Sequence, residues 1–112
     1  MQGTDAGIAP ETPNSTDIAQ ALVAHVYGID VKDMRSTKRS NPRAALARQI
    51  AMYLSHIVLQ MSFTQIGTAF GRNRSTACHA LHHVESLRDD PELDRTLVQL
   101  ETLLRQTAGG AA

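Results

Sequence analysis

The 112-residue chain has a single cysteine, Cys78, no tryptophan, two tyrosines and two phenylalanines. One cysteine cannot close an internal disulfide, so a disulfide-stapled scaffold is excluded and a reducing compartment is expected. No run of 18 or more apolar residues occurs, which excludes an ordinary membrane-spanning helix. The opening M-Q-G-T-D-A-G-I-A-P has neither the basic nor the apolar region of a secretory signal, so the expected location is the cytoplasm. There is no G-x-x-x-x-G-K-[ST], hence no phosphate loop of that type. No nucleophile stands beside an evident orienting partner, and neither an enzyme nor a bound cofactor is expected. No segment alternates with period two, so no strand is expected.

What is present is ordinary for a globular domain: 42% apolar and 20% charged residues, in a length that suits one compact domain. The net charge of zero conceals a partition. Residues 1–33 sum to −4, residues 34–88 to +7 and residues 89–112 to −3. Local rather than net charge governs contact with a polyanion, and a basic middle between acidic ends is the footprint of nucleic-acid binding.

Residues 1–14 and 108–112 read as flexible tails and residues 15–107 as the folded domain. Ser15-Thr16-Asp17 offers capping oxygens ahead of Ile18, Leu22 and Val26, with Gly28 as a stop. Asp30 can cap a short turn over residues 31–34, followed by a polar, basic connection over residues 35–41. From Pro42, the spacing of Leu46, Ile50, Leu54, Ile57 and Met61 predicts a long core helix. Ser62-Phe63-Thr64-Gln65 has the S-x-x-Q form of a capping box, followed by Phe63, Ile66 and Phe70 on one buried face and Gly71 for a turn. A helix from about Arg74 to Arg88 buries Ala77, Leu81, Val84 and Leu87. Asp90-Pro91-Glu92 starts a last helix whose face is Leu93, Leu97, Leu100 and Leu104. The fold class is all-α, a compact multi-helix domain.

The stretch from Ser62 to Arg88 has the layout of a helix-turn-helix, a short capped helix, a glycine turn and a longer helix whose first residues would enter the major groove of DNA. The chemistry there fits. Arginine bridges guanine O6 and N7, asparagine pairs with adenine, and hydroxyls take a phosphate or a base edge; Arg72, Asn73, Arg74, Ser75 and Thr76 supply these groups. On a helical wheel Ser75, His79 and His82 lie opposite Ala77, Leu81 and Val84.

R-Q-I-A-M-Y-L at 48–54, followed by I-G-T-A-F-G-R-N-R-S-T at 66–76, resembles the C-terminal DNA-binding domain, the domain IV type, of the bacterial replication initiator DnaA, within the TrpR-like superfamily. The resemblance runs from about Ile18 to Leu104. It implies double-stranded DNA as the partner, with the helix start reading the major groove and a basic loop reaching the minor groove. Where the family's turn reads G-G-R-D-H-[ST]-T-V, this chain has one glycine fewer, keeps Arg72 and Thr76, has Ser75 at the Ser/Thr position, and carries Asn73-Arg74 in place of Asp-His. The loop reads Lys38-Arg39-Ser40-Asn41-Pro42-Arg43, less basic than is usual in the family.

The expected DNA-binding residues are Lys38, Arg39, Arg43, Arg48, Ser62, Thr64, Arg72, Asn73, Arg74, Ser75, Thr76 and His79. Several have a second reading. Asn73 either caps alone or also touches a base, Arg72 either braces the turn or contacts DNA, and Arg48 is either structural or a phosphate contact. Met52 and Tyr53 read as core. Cys78, His79, His82 and His83 share a helix but lack a second ligand segment, so no metal is expected. The chain is expected to be a monomeric regulator of transcription or replication initiation at the nucleoid, without ATPase activity and with replication or transcription proteins as further partners. The alternative is a protein-interaction module that keeps the fold and has lost specific DNA recognition.

Overall fold

The computed structural model describes residues 15–36 and 42–109, which form six helices and, among the described residues, no strand. They are α1 (Ser15–Tyr27), α2 (Val31–Arg35), α3 (Pro42–Ile57), α4 (Phe63–Phe70), α5 (Arg74–Leu87) and α6 (Pro91–Gly109). Among the described residues no helix is long and apolar enough to cross a membrane. The all-α expectation and the element order hold.

Helix α3 is the axis of the domain, with α1, α2, α4 and α5 packed around it and α6 lying against α1. Small residues make this possible. Ala47 and Ala51 on α3 share one cluster with Ala19 and Val23 on α1 and Val84 on α5, all fully or nearly fully buried. Side chains this short let helix axes approach closely, and the larger Ile50, Leu54, Leu97, Leu100 and Leu104 fill the space between. A second, smaller cluster of Met52, Ile66, Ala77 and Ala80 joins α3 to α4 and α5.

Two expectations are corrected by packing. In α1 the buried stripe is Thr16, Ala19, Gln20, Val23 and Ala24, so Ile18 and Leu22 are half-buried and Val26 is 42% exposed. The close approach of α3 selects the small side chains rather than the large ones. Gln20 is satisfied there by the Arg35 Nε–H at 2.9 Å, and Arg35 also pairs with Asp17 at 2.9 Å, joining α2 to α1.

The periodicity that continued to Met61 also overruns the helix, which ends at Ile57. Gln60 adopts a φ of 59°, the left-handed region that terminates helices. The Met61 N–H then donates back to the Ser55 carbonyl at 3.2 Å. Met61 leaves the α3 stripe and packs instead against the second cluster beside Phe63. His56 secures this turn, with Nδ1 2.9 Å from the Met61 carbonyl oxygen and its ring stacked on Phe63 at 4.6 Å. The entry to α4 is thereby fixed to the end of α3.

Candidate nucleic-acid interface

Helix α4 begins with the capping box its sequence predicts. The Ser62 hydroxyl accepts from the Gln65 N–H at 3.1 Å, and the Gln65 side chain accepts from the Ser62 N–H at 2.9 Å. It ends at Gly71, whose φ of 67° lies where glycine is favoured. The Arg72 N–H donates to the Gly67 carbonyl at 2.7 Å, and the chain turns directly into α5.

The turn is tight because of Gly67. A Cβ at this position would stand 2.9 Å from the Arg72 carbonyl oxygen, 3.0 Å from the Asn73 carbonyl carbon and 3.1 Å from the Asn73 oxygen. All three are main-chain atoms, so nothing flexible can yield. The sequence reading passed over Gly67, although a glycine inside a helix, about 1 kcal/mol worse than alanine, signals that space is needed.

Asn73 is the N-cap of α5. Its Oδ1 accepts from the Thr76 N–H at 2.9 Å, the Ser75 hydroxyl at 2.7 Å and the Thr76 hydroxyl at 2.9 Å. Arg74 follows, exposed, and its guanidinium has no partner among the described residues. Ser75, Thr76, His79, His82 and His83 are exposed as well, while Ala77, Ala80 and Val84 are buried and Leu81 and Leu87 half-buried. The His79 and His83 rings lie parallel, 6.5 Å apart. The polar face of α5 is therefore open along its length, as the helical wheel predicts.

The structure divides the other expected site residues. Thr64 is exposed on the first turn of α4, and the Ser62 side chain is engaged in the capping box. Arg72 turns inward, donating from Nη2 to the Ser36 carbonyl at 2.9 Å, with its Nε buried and without a hydrogen-bond partner. Arg48 donates to the Met34 carbonyl at 2.9 Å. Burial, and then the neighbouring Arg72 charge, hold the Arg48 guanidinium below the usual arginine range. Arg43 donates from Nη2 to the Tyr27 carbonyl. Lys38 and Arg39 lie outside the described residues. Thus Asn73, Arg74, Ser75, Thr76 and His79 share one surface, while Arg48 and Arg72 converge behind it on the carbonyl end of α2.

The far end of α5 is held by a network that sequence reasoning missed. Arg88 donates to Asp94 at 2.5 Å, Glu101 at 2.7 Å and the Tyr53 hydroxyl at 2.8 Å, joining α5 to α6 and α3. Burial works against its charge, but these partners outweigh burial and raise its pKa above the ordinary arginine value. Among the described residues no group of three or more His, Cys, Asp or Glu is placed to hold a metal ion.

Residues 16–84 match the family model described as the bacterial dnaA protein helix-turn-helix. The chain is similar to the chromosomal replication initiator protein DnaA of Laribacter hongkongensis, 40% identical over 93 residues, covering 81% of this chain and 19% of that protein. It is similar to the protein of the same name from Levilactobacillus brevis, 35% identical over 91 residues, 80% of this chain and 20% of that one. With the Ehrlichia ruminantium (strain Gardel) protein of that name it shares 42% identity over 88 residues, 77% of this chain and 19% of the other. The chain thus spans about a fifth of the length of these relatives.

Proposed function

The chain belongs to the bacterial DnaA helix-turn-helix family, and on that premise we propose that it binds double-stranded DNA in a sequence-specific way and regulates transcription or replication initiation by occupying its sites. The observation that carries this reading is the start of α5. There an exposed guanidinium without a partner, Arg74, stands beside a capped, ordered turn whose Asn73, Ser75 and Thr76 side chains are also exposed. A recognition helix needs base-reading groups at its first residues and a rigid launch point behind them. Gly67, Gly71 and the Asn73 cap provide that launch point.

In this reading Arg74, Asn73, Thr76 and His79 face base edges. Ser62 and Thr64 lie where phosphates pass, Lys38, Arg39 and Arg43 add cations at the flank, and Arg48 and Arg72 support the surface from behind. In the same reading the protein acts as a monomer, which is supported by burial of the apolar stripe of α6, Leu97, Leu100 and Leu104, in the chain's own core. It works in the cytoplasm at the nucleoid. The 112 residues hold no phosphate loop, and the proposal gives them no nucleotide chemistry.

A protein-interaction module is the second reading, and one observation favours it. Val98 and Leu103 on the outer side of α6 are 47% and 40% exposed and flank a shallow surface with Gln99 and Thr102. Selection of bound duplexes from a random pool separates the two. The DNA reading predicts an enriched sequence that Arg74→Ala loses; the interaction reading predicts no enrichment and weak binding at physiological salt.

A further inference from the structure

The partners of the Asn73 side-chain amide force its orientation. A main-chain N–H only donates, so the atom facing the Thr76 N–H at 2.9 Å is the amide oxygen and not the nitrogen. The Ser75 and Thr76 hydroxyls each have one hydrogen, and both are directed at that same oxygen. Three donors occupy its lone pairs. The Nδ2 group is left with two N–H donors and no partner among the described residues. Next to it, exposed Arg74 contributes five more N–H donors and no acceptor.

Asparagine pairs with adenine by using its oxygen and its nitrogen together, one accepting from N6 and the other donating to N7. In this chain the oxygen is already engaged, so the usual pairing with adenine is closed off, contrary to the expectation from the residue type alone. What remains is a pair of adjacent side chains that offer donors. Guanine alone presents two acceptors side by side in the major groove, O6 and N7; adenine and cytosine each present an amino donor there.

Resting on the DNA-binding reading above, we infer that Asn73 and Arg74 make α5 a reader of guanine. The Arg74 guanidinium brackets O6 and N7 of one guanine, and Asn73 Nδ2 donates to an acceptor of the neighbouring base pair. Cytosine is rejected at both positions, and adenine at the Arg74 position, because an amino group would stand where the donors need an acceptor. The Ser75 and Thr76 hydroxyls, with their hydrogens held by Asn73, meet the DNA as acceptors only.

Asn73→Asp tests this cleanly. Aspartate caps helices as well as asparagine and can accept the same three hydrogen bonds, but it replaces the outward donors with an acceptor. Duplexes are selected from a random pool by the full chain, by Asn73→Asp and by Arg74→Lys, with thermal unfolding recorded for each. The unaltered chain is expected to enrich sites with fixed guanine. Arg74→Lys, which lacks the fork, should reduce discrimination at one guanine by about ten- to a hundred-fold. Asn73→Asp should unfold at the same temperature and accept cytosine at the adjoining position. Enriched sites in which neither substitution changes a guanine preference would overturn the inference and leave specific DNA binding standing. Failure of the unaltered chain to enrich any sequence would remove both.

Discussion

Arg72, in the turn between α4 and α5, donates from Nη2 to the main-chain carbonyl of Ser36 at 2.9 Å, across 36 residues of sequence. Arg48 donates to the Met34 carbonyl from the neighbouring helix. Carbonyls at a helix end lack intrahelical partners and carry partial negative charge, so two cations are well placed there. The consequence is mechanical. The end of α2, from which the basic connection departs, is joined to the turn that launches α5.

Arg72→Met keeps the apolar stem and removes the donors. A hydrogen bond to a charged group contributes about 1.5–3 kcal/mol, and the urea midpoint should fall accordingly. Affinity should drop for all duplexes alike, with base preference unchanged, because the lost bond orders the surface and reads nothing. A change of preference in the selected sites would instead place Arg72 against a base.

Gly67→Ala should be more damaging than its single methyl suggests. The new Cβ would meet main-chain atoms of Arg72 and Asn73 at 2.9 to 3.1 Å, so the start of α5 must move. Overpacking of this kind costs about 1–3 kcal/mol. Calorimetry should show a lower unfolding temperature, and DNA binding should be impaired even well below it. Wild-type binding by this variant would show that the turn geometry is not needed.

Arg88 is a stabilising residue remote from the proposed DNA surface at the start of α5. Arg88→Lys keeps the charge but cannot reach Asp94, Glu101 and Tyr53 together, and a loss of roughly 1.5–3 kcal/mol is expected. The sign of its pH effect follows from its raised pKa. A raised group stabilises the fold at every pH below its unfolded value and loses that effect only as pH rises through the folded one. Both lie far above neutral pH, so the Arg88 cation should add no pH dependence to unfolding between about pH 6 and about pH 9.

The local parts of this architecture were legible in the sequence. Ser62 with Gln65, Asn73 before the Arg74 helix and Asp30 before α2 are caps whose partners lie within three residues. Of the Leu93, Leu97, Leu100 and Leu104 stripe, the last three are buried as their spacing predicts and Leu93 is half-buried. Legibility ends where the third dimension decides. Met61 continues the α3 period, but the left-handed Gln60 takes it off the helix. Val26 continues the α1 period, yet close packing on α3 prefers alanines. Arg72 and Ser36, or Arg88 and Glu101, are brought together by the fold alone. In the candidate site, residue types were visible, whereas the inward turn of Arg72 and the engaged Asn73 oxygen were not.

Lys38 and Arg39 lie outside the described residues, and their proposed role is tested through salt. Replacing either by alanine should weaken binding to every duplex and reduce the slope of log affinity against log salt by about one unit. Arg43→Ala should also lower stability, because its guanidinium ties α3 to the Tyr27 carbonyl at the end of α1. An unchanged slope for all three would remove the basic connection from the interface.

The central claim is that the exposed start of α5 reads DNA sequence. Its most direct test is the affinity of the full chain for its selected duplex against a scrambled duplex of equal composition, at about physiological salt. The account predicts a preference on the order of a thousand-fold or more, cut by about ten- to a hundred-fold in Arg74→Ala while the fold is retained. Equal affinity for the two duplexes, or a preference that Arg74→Ala leaves intact, would contradict it.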